Sequence, residues 1–325
     1  MTDAYAKAGV DQAAGDAAVA ALLQALGPAG PGGSVRQLVE VGHYASVIRV
    51  DERIAIALST DGVGTKLLIA AQLGRWDTVG IDCVAMNVND VICVGAEPLA
   101  MLDYIACPTA DPEQMSALGT GLRRGAELAG IEIVGGELAQ LDAVVSELDL
   151  VGACVGVVDP DRVVTGAAIE PGDVVIGLPS SGLHSNGYTL ARKVLADVPL
   201  DDERLGTPLG ELLLEPTEVY VAAVLELLRS PVDVHGLAHI TSGGLGNLHR
   251  LNDTVGYEID EPLPTPPIFE LIRELGDVPE AEMAEVFNLG CGFCCVVAAD
   301  DERAATELLR GHYRDAKRIG RARPE

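Results

Sequence analysis

The chain has 325 residues, of which 48% are hydrophobic, with 49 acidic against 22 basic side chains and a formal charge of −27. This length and apolar content suit two domains with sizeable cores, while the acidic excess argues against nucleic acid and anionic membranes as partners. No apolar run reaches the ~18 residues of a membrane span, and the N-terminus MTDAYAKAGVDQ lacks a basic stretch followed by an apolar one, so the sequence predicts a cytoplasmic protein without a signal peptide.

Residues 11–26 read as a helix with Leu22, Leu23 and Leu26 on its apolar side, followed by a Gly/Pro loop at 27–34. RIAIALS at 53–59 alternates like a strand, DGVGTK at 61–66 is a glycine-rich turn, and a helix runs on to about Leu73. In 81–94, Ile81, Val84, Ala85, Val88, Val91 and Ile92 repeat at helical spacing, which predicts an amphipathic helix. Asp82 and Asn89 share its other face, with Asp90 beside them. Strands are expected at 99–106, 131–134 and 148–158, with a helix at about 112–129. The turn-rich stretch 159–171 marks a boundary, giving domains 1–160 and 161–325. The second half opens with strand 172–178. Helices follow near 187–196, 216–229 and 244–251, then a strand at 255–260, helices near 268–275 and 280–287, the apolar strand GFCCVVAAD and a helix at 301–311. Strands and helices mix in both halves, which predicts two α/β or α+β domains.

Four of the basic residues are lysines (Lys7, Lys66, Lys193, Lys317), and an acidic, lysine-poor surface suits high salt, where counter-ions screen self-repulsion. The seven cysteines mostly sit in apolar runs and read as reduced, buried small hydrophobes. Cys291 and Cys294 have CxxC spacing, but no second pair accompanies them, so a core strand is the expected setting.

From Trp76 to Leu122 there is no Lys or Arg, yet there are seven acids. Such carboxylates are either solvated or neutralised by a cation. The short oxygen-bearing side chains of Asp82, Asn89 and Asp90 suit Mg²⁺. Asp61-Gly62-Val63-Gly64-Thr65-Lys66 follows a strand and opens a helix, so its amides and Lys66 suit a phosphate; an ordinary strand–helix turn has the same pattern. Glu137 closes Gly135-Gly136-Glu137 at an expected strand end, as a crevice ligand or a solvated turn acid. Ser180 to Tyr188 is dense in small polar residues and suits a phosphate or sugar pocket, with Ser181, His184, Ser185 and Asn186 as candidates. Thr241, Gly243 and Gly244 follow His239 in a similar lead into a helix. The remaining histidines, His43, His235, His249 and His312, read as surface or capping residues.

The order of these motifs resembles the aminoimidazole ribonucleotide synthetase family along nearly the whole chain. The stretches that carry the resemblance are YAKAGVD (5–11), STDGVGTK (59–66), GIDCVAMNVNDV (80–91), GAEPLAMLDY (95–104), IVGGE (133–137), SSGLHSNGYTL (180–190), EPTEVY (215–220), AHITSGGLGNL (238–248) and FNLGCGF (287–293). The resemblance implies an α/β N-terminal domain that pairs in a homodimer, with ATP near that interface, and an α+β C-terminal domain. It implies Mg²⁺ on Asp61, Asp90 and Glu137, with Asp82 and Asn89 close behind, and ATP-dependent ring closure of formylglycinamidine ribonucleotide. Lys66, His184 and His239 are then the expected catalytic side chains, and strands 53–59 and 99–106 are apolar enough to extend a sheet across a two-fold axis.

Departures from the family pattern stand at VEVGHYASV (39–47), at Leu138-Ala139-Gln140-Leu141-Asp142, at Ser242 and at the short C-terminus. Two alternatives stay open: a sister ATP-using enzyme of the selenophosphate synthetase or thiamine-monophosphate kinase type, and a non-catalytic nucleotide-binding paralogue. No cysteine precedes Cys83, which counts against the first of the sister enzymes.

Overall fold

The computed structural model describes residues 4, 8–27, 36–39 and 42–325. The Gly/Pro loop expected at 27–34 lies, apart from Gly27, outside the described residues, as do Glu40 and Val41 of the divergent segment. Helix α1 (Gln12–Leu26) is capped by Asp11, whose Oδ1 accepts the amide of Ala14 at 2.9 Å, a contact worth about 1 kcal/mol. Its Leu22 and Leu26 are exposed.

The first sheet has the order β1-β2-β5-β3-β4, built from β1 (Ser46–Arg49), β2 (Ala55–Gly62), β3 (Glu97–Cys107), β4 (Glu132–Gln140) and β5 (Asp149–Val158). Only the β3–β4 pair is parallel. Between β2 and β3 run α2 (Leu67–Leu73) and α3 (Val79–Ile92); α4 (Pro112–Ala129) connects β3 to β4. Val84, Val88 and Val91 of α3 are fully buried, as the helical repeat predicts. The other face of the sheet is open: Leu58, Leu102, Tyr104 and Val134 are 45%, 50%, 42% and 61% exposed. The segments 53–59 and 99–106 do not extend the sheet across a two-fold as expected. Those segments are β2 and β3, and both of their edges are already paired.

The second sheet has the order β7-β9-β6-β10-β8, with every pair antiparallel. Its strands are β6 (Val174–Pro179), β7 (Val234–His239), β8 (Val255–Ile259), β9 (Cys291–Val297) and β10 (Lys317–Pro324). Helices α5 (Tyr188–Val194), α6 (Leu209–Leu214), α7 (Val221–Arg229), α8 (Pro267–Gly276), α9 (Glu280–Val286) and α10 (Glu302–Arg310) complete this half. The helix expected from 216 begins only at Val221, and 244–250 is a 3-10 turn. All of β9 is buried, including Cys291 and Cys294, whose sulfurs lie 3.6 Å apart as free thiols. The architecture is thus two mixed α/β halves, as the sequence predicts. No helix among the described residues is long and apolar enough to cross a membrane.

Candidate functional site

The polar stripe of α3 is as buried as its apolar one. Asp82 and Asn89, two helical turns apart, dock on residues 215–220 of the second half. Asp82 Oδ1 accepts Thr217 Oγ1 at 2.6 Å, Thr217 N at 2.7 Å and Ser185 Oγ at 3.2 Å. Asn89 donates to Glu218 O at 2.8 Å and accepts Tyr220 N at 3.0 Å. Neither side chain faces an open cation site, so the expected ligand roles of Asp82 and Asn89 are corrected to contacts between the halves.

Lys66 is fully buried. Its ammonium lies 2.9 Å from both carboxylate oxygens of Asp82 and donates to His184 O at 3.1 Å and Glu215 O at 2.6 Å. Three donors thus meet three acceptor groups. Burial lowers the Lys66 pKa, and the Asp82 carboxylate opposes that shift.

Asp61 ends β2. The Asn87 side chain bonds both its backbone N and O, at 3.0 and 3.1 Å, and its Oδ1 accepts Gly62 N at 2.7 Å. This approach needs the glycine at 152 on the paired strand, where a Cβ would stand 2.5 Å from Asn87 Nδ2. Burial, and then the charge of Asp90, push the Asp61 carboxyl up to about 6. Asp90 Oδ1 lies 3.0 Å from His239 Nδ1. A carboxylate only accepts, so Nδ1 carries a proton, and in the neutral ring it is Nε2 that presents a lone pair. That Nε2 is buried without a hydrogen-bond partner among the described residues.

His184 has the complementary arrangement. Ser181 N donates to its Nε2 at 3.3 Å, which places the ring proton on Nδ1. Nδ1 is buried and also without a partner among the described residues. Burial, then His239 and Lys66, hold the His184 pKa well below the ordinary value, so the ring is neutral. Its φ of 63° is left-handed. Gly292 lets it approach β9, since a Cβ there would stand 2.1 Å from Tyr220 Oη and 2.5 Å from His184 Cε1.

Around these histidines, Asn186 Oδ1 accepts Ser242 Oγ at 3.1 Å. Asn247 accepts Thr241 N at 2.8 Å and donates to Ser242 O at 2.9 Å. Ser181 Oγ donates to Pro216 O at 2.5 Å, and Thr65 Oγ1 lies 3.3 Å from Thr189 Oγ1. Several amides expected to meet phosphate are engaged within the chain. Gly62 N bonds Asp61, Gly243 N bonds Glu285 O at 2.7 Å, and Gly244 N bonds Thr241 O at 3.1 Å. Gly64 has a left-handed φ of 71° at the start of the 3-10 turn leading into α2.

Glu137 is not brought to Asp61 and Asp90. β4 continues past it to Gln140. The register aligns Glu137 with Tyr104 and Val151, and Asp61 with Gly152 and Asp103. Successive residues alternate faces, so Glu137 points to the open side and Asp61 to the α3 side. No three His, Cys, Asp or Glu among the described residues form a metal-binding group.

Thr217 and Tyr220, on which α3 docks, carry no sequence signal beyond their place in EPTEVY (215–220). Tyr44 likewise carries no signal of its own; it donates to Asn247 O at 3.1 Å beneath the Arg250 guanidinium, 4.1 Å from its ring centre. His43 departs from the surface reading: burial, and then Arg250, lower its pKa to about 4.

Sequence profiles of AIR synthase related proteins match the chain twice, the N-terminal domain at residues 42–158 and the C-terminal domain at 170–325. A phosphoribosylformylglycinamidine cyclo-ligase of Methanothermobacter thermautotrophicus is 52% identical over 274 residues, 82% of this chain and 80% of that protein. One from Thermococcus gammatolerans is 45% identical over 333 residues, 99% of this chain and 96% of that protein. Among solved structures, a HypE–HypF complex has a TM-score of 0.66 at 20% identity, covering 87% of this chain and 88% of the other. AaThiL complexed with AMPPCP and TMP has a TM-score of 0.65 at 19% identity, covering 88% and 86%.

Proposed function

The chain belongs to the AIR synthase related family, and from that premise we propose that it is an ATP-dependent cyclo-ligase of purine biosynthesis. It closes formylglycinamidine ribonucleotide to 5-aminoimidazole ribonucleotide, releasing ADP and phosphate. The observation that carries this reading is 45% identity to a cyclo-ligase across 99% of the chain. The likenesses to HypE and ThiL, at 19–20% identity, speak for the fold alone.

In this reading the formyl amide oxygen takes the γ-phosphoryl group of ATP, giving an iminophosphate and ADP. The amidine nitrogen then attacks the formyl carbon, the C–O bond breaks, and phosphate leaves with the original oxygen. The second step is intramolecular, and holding the chain folded supplies up to ~7–11 kcal/mol in favourable cases. The neutral His184 donates from Nδ1 to an oxygen of the substrate or phosphate. His239, its other nitrogen held by Asp90, accepts the proton that the amidine nitrogen loses. Ser181, Ser185, Asn186 and Thr241 shape the wall around them, with Gly62, Gly64, Thr65, Gly243 and Gly244 lining the turns.

Asp61 and Asp90 are the residues we assign to Mg²⁺. They are oxygen donors close enough for the charge of one to raise the pKa of the other, and Mg²⁺ characteristically takes one or two carboxylates and completes its shell with water and phosphate. When bound, the ion supplies charge neutralisation at the transferring phosphoryl group. Glu137 lies on the open face, which we assign to a second copy of the chain: Leu58, Leu102, Tyr104 and Val134 make it apolar. We place the boundary between the domains at about residue 160 and the protein in the cytoplasm.

The test is a coupled assay of purified protein with formylglycinamidine ribonucleotide and ATP, followed by ¹⁸O tracing. Label from the amide oxygen is expected in released phosphate; aminoimidazole ribonucleotide without that label would reject the iminophosphate route.

A further inference from the structure

We propose that Lys66 and Asp82 are a positioning pair that fixes the His184 loop across the junction between the halves, and that Lys66 does not touch the phosphates. The pair joins the first half, where both residues reside, to the second, where all their other partners lie: His184 O, Glu215 O, Thr217 and Ser185. Both side chains are fully buried. For Lys66 to turn toward a phosphate, Asp82 would be left as a buried charge without its cation, which proteins strongly disfavour.

The loop also needs a restraint. His184 sits at φ 63°, a region that non-glycine residues keep only when their surroundings hold them there. The Lys66 ammonium grips the carbonyl of that residue, 3.1 Å away, and Asp82 grips the next side chain, Ser185, at 3.2 Å. The same loop presents Nδ1 of His184. The pair therefore sets where that donor points.

The kinetic part of the test rests on the proposed reaction; a spectroscopic part does not. In Lys66→Met, kcat should fall about tenfold or more while KM for ATP stays within about threefold. Adding Asp82→Asn removes the stranded charge and should recover part of kcat. Thr217→Val, a milder change that loosens Asp82 and leaves Lys66 intact, should lower kcat in the same direction. A direct phosphate contact predicts instead a raised KM for ATP in Lys66→Met, no recovery in the double variant and no effect of Thr217→Val; that pattern would overturn the proposal. Independently of turnover, the ring ¹⁵N resonances of His184 should move in Lys66→Met and in Thr217→Val. Unmoved resonances in the folded Thr217→Val protein would overturn it even if the enzyme is active. Moved resonances in the variants, when the unsubstituted protein itself shows no cyclo-ligase activity, would uphold the positioning role and reject the reaction.

Discussion

Replacing Asp61 by asparagine should stabilise the metal-free protein at pH 8 while abolishing its activity. Burial and the neighbouring Asp90 raise the Asp61 carboxyl from 3.8 to about 6. Because the folded value lies above the unfolded one, the group's stabilising contribution is complete below about pH 4 and is lost as pH rises through about 6. At pH 8 the folded chain carries a charge that its surroundings disfavour by about 2–3 kcal/mol. Asparagine keeps an oxygen for the Gly62 amide, now accepted at 2.7 Å, and cannot ionise. The gain should raise the first unfolding transition by about 5 °C, read by calorimetry in EDTA. It should shrink at pH 5 and vanish near pH 4, where the wild-type carboxyl is protonated. Molar salt should leave most of it, since burial outweighs the charge of Asp90 among the causes. Mg²⁺ should stabilise the wild type and not the variant. Equal stability of the two proteins at pH 8, or a gain independent of pH, would refute the reasoning.

Asp90→Ala should remove both a cation ligand and the orienting partner of His239, abolishing Mg-ATP turnover with the fold retained by circular dichroism. His239→Asn should lower kcat by about 10²-fold or more, the scale of a lost proton acceptor, with little change in thermal midpoint. Leu102→Glu, on the open face of the first sheet, should shift sedimentation from dimer to monomer; an unchanged dimer would place the interface elsewhere. Gly292→Ala should drive a methyl into Tyr220 and His184, lowering both thermal midpoint and kcat.

The periodic features were legible. The helix over 81–94 and the buried strand GFCCVVAAD follow from spacing and composition. The partner of a polar stripe was not. Asp82 meets Thr217 across 135 positions of sequence, and oxygen-rich side chains on a helix suit an ion and a second domain equally well. Local chemistry therefore assigned Asp82 and Lys66 to ligands, whereas the fold pairs them with each other. Glu137 failed for a different reason: its strand was expected to stop at the glycines, yet pairing with β3 carries it on to Gln140. Strands β7 and β10 carry no strand signal, because VHGLAH holds two histidines and a glycine and KRIGRARP is dominated by arginines. In the latter only Ile319, Gly320 and Ala322 are buried, and a register shift interrupts the alternation.

The seven unpaired cysteines have a practical consequence. All are buried, and burial contributes to thiol pKa values raised above the ordinary range at Cys83, Cys93, Cys154, Cys294 and Cys295. Alkylating reagents act on exposed thiolate, so the closed molecule should be nearly inert to them. Modification then times the opening of the chain, and peptide mapping says where. Labels on Cys83, Cys93, Cys107 and Cys154 report breathing of the first sheet and its helices; those on Cys291, Cys294 and Cys295 report strand β9 of the second. The protein thus contains its own pair of clocks, one in each half, with no engineered probe.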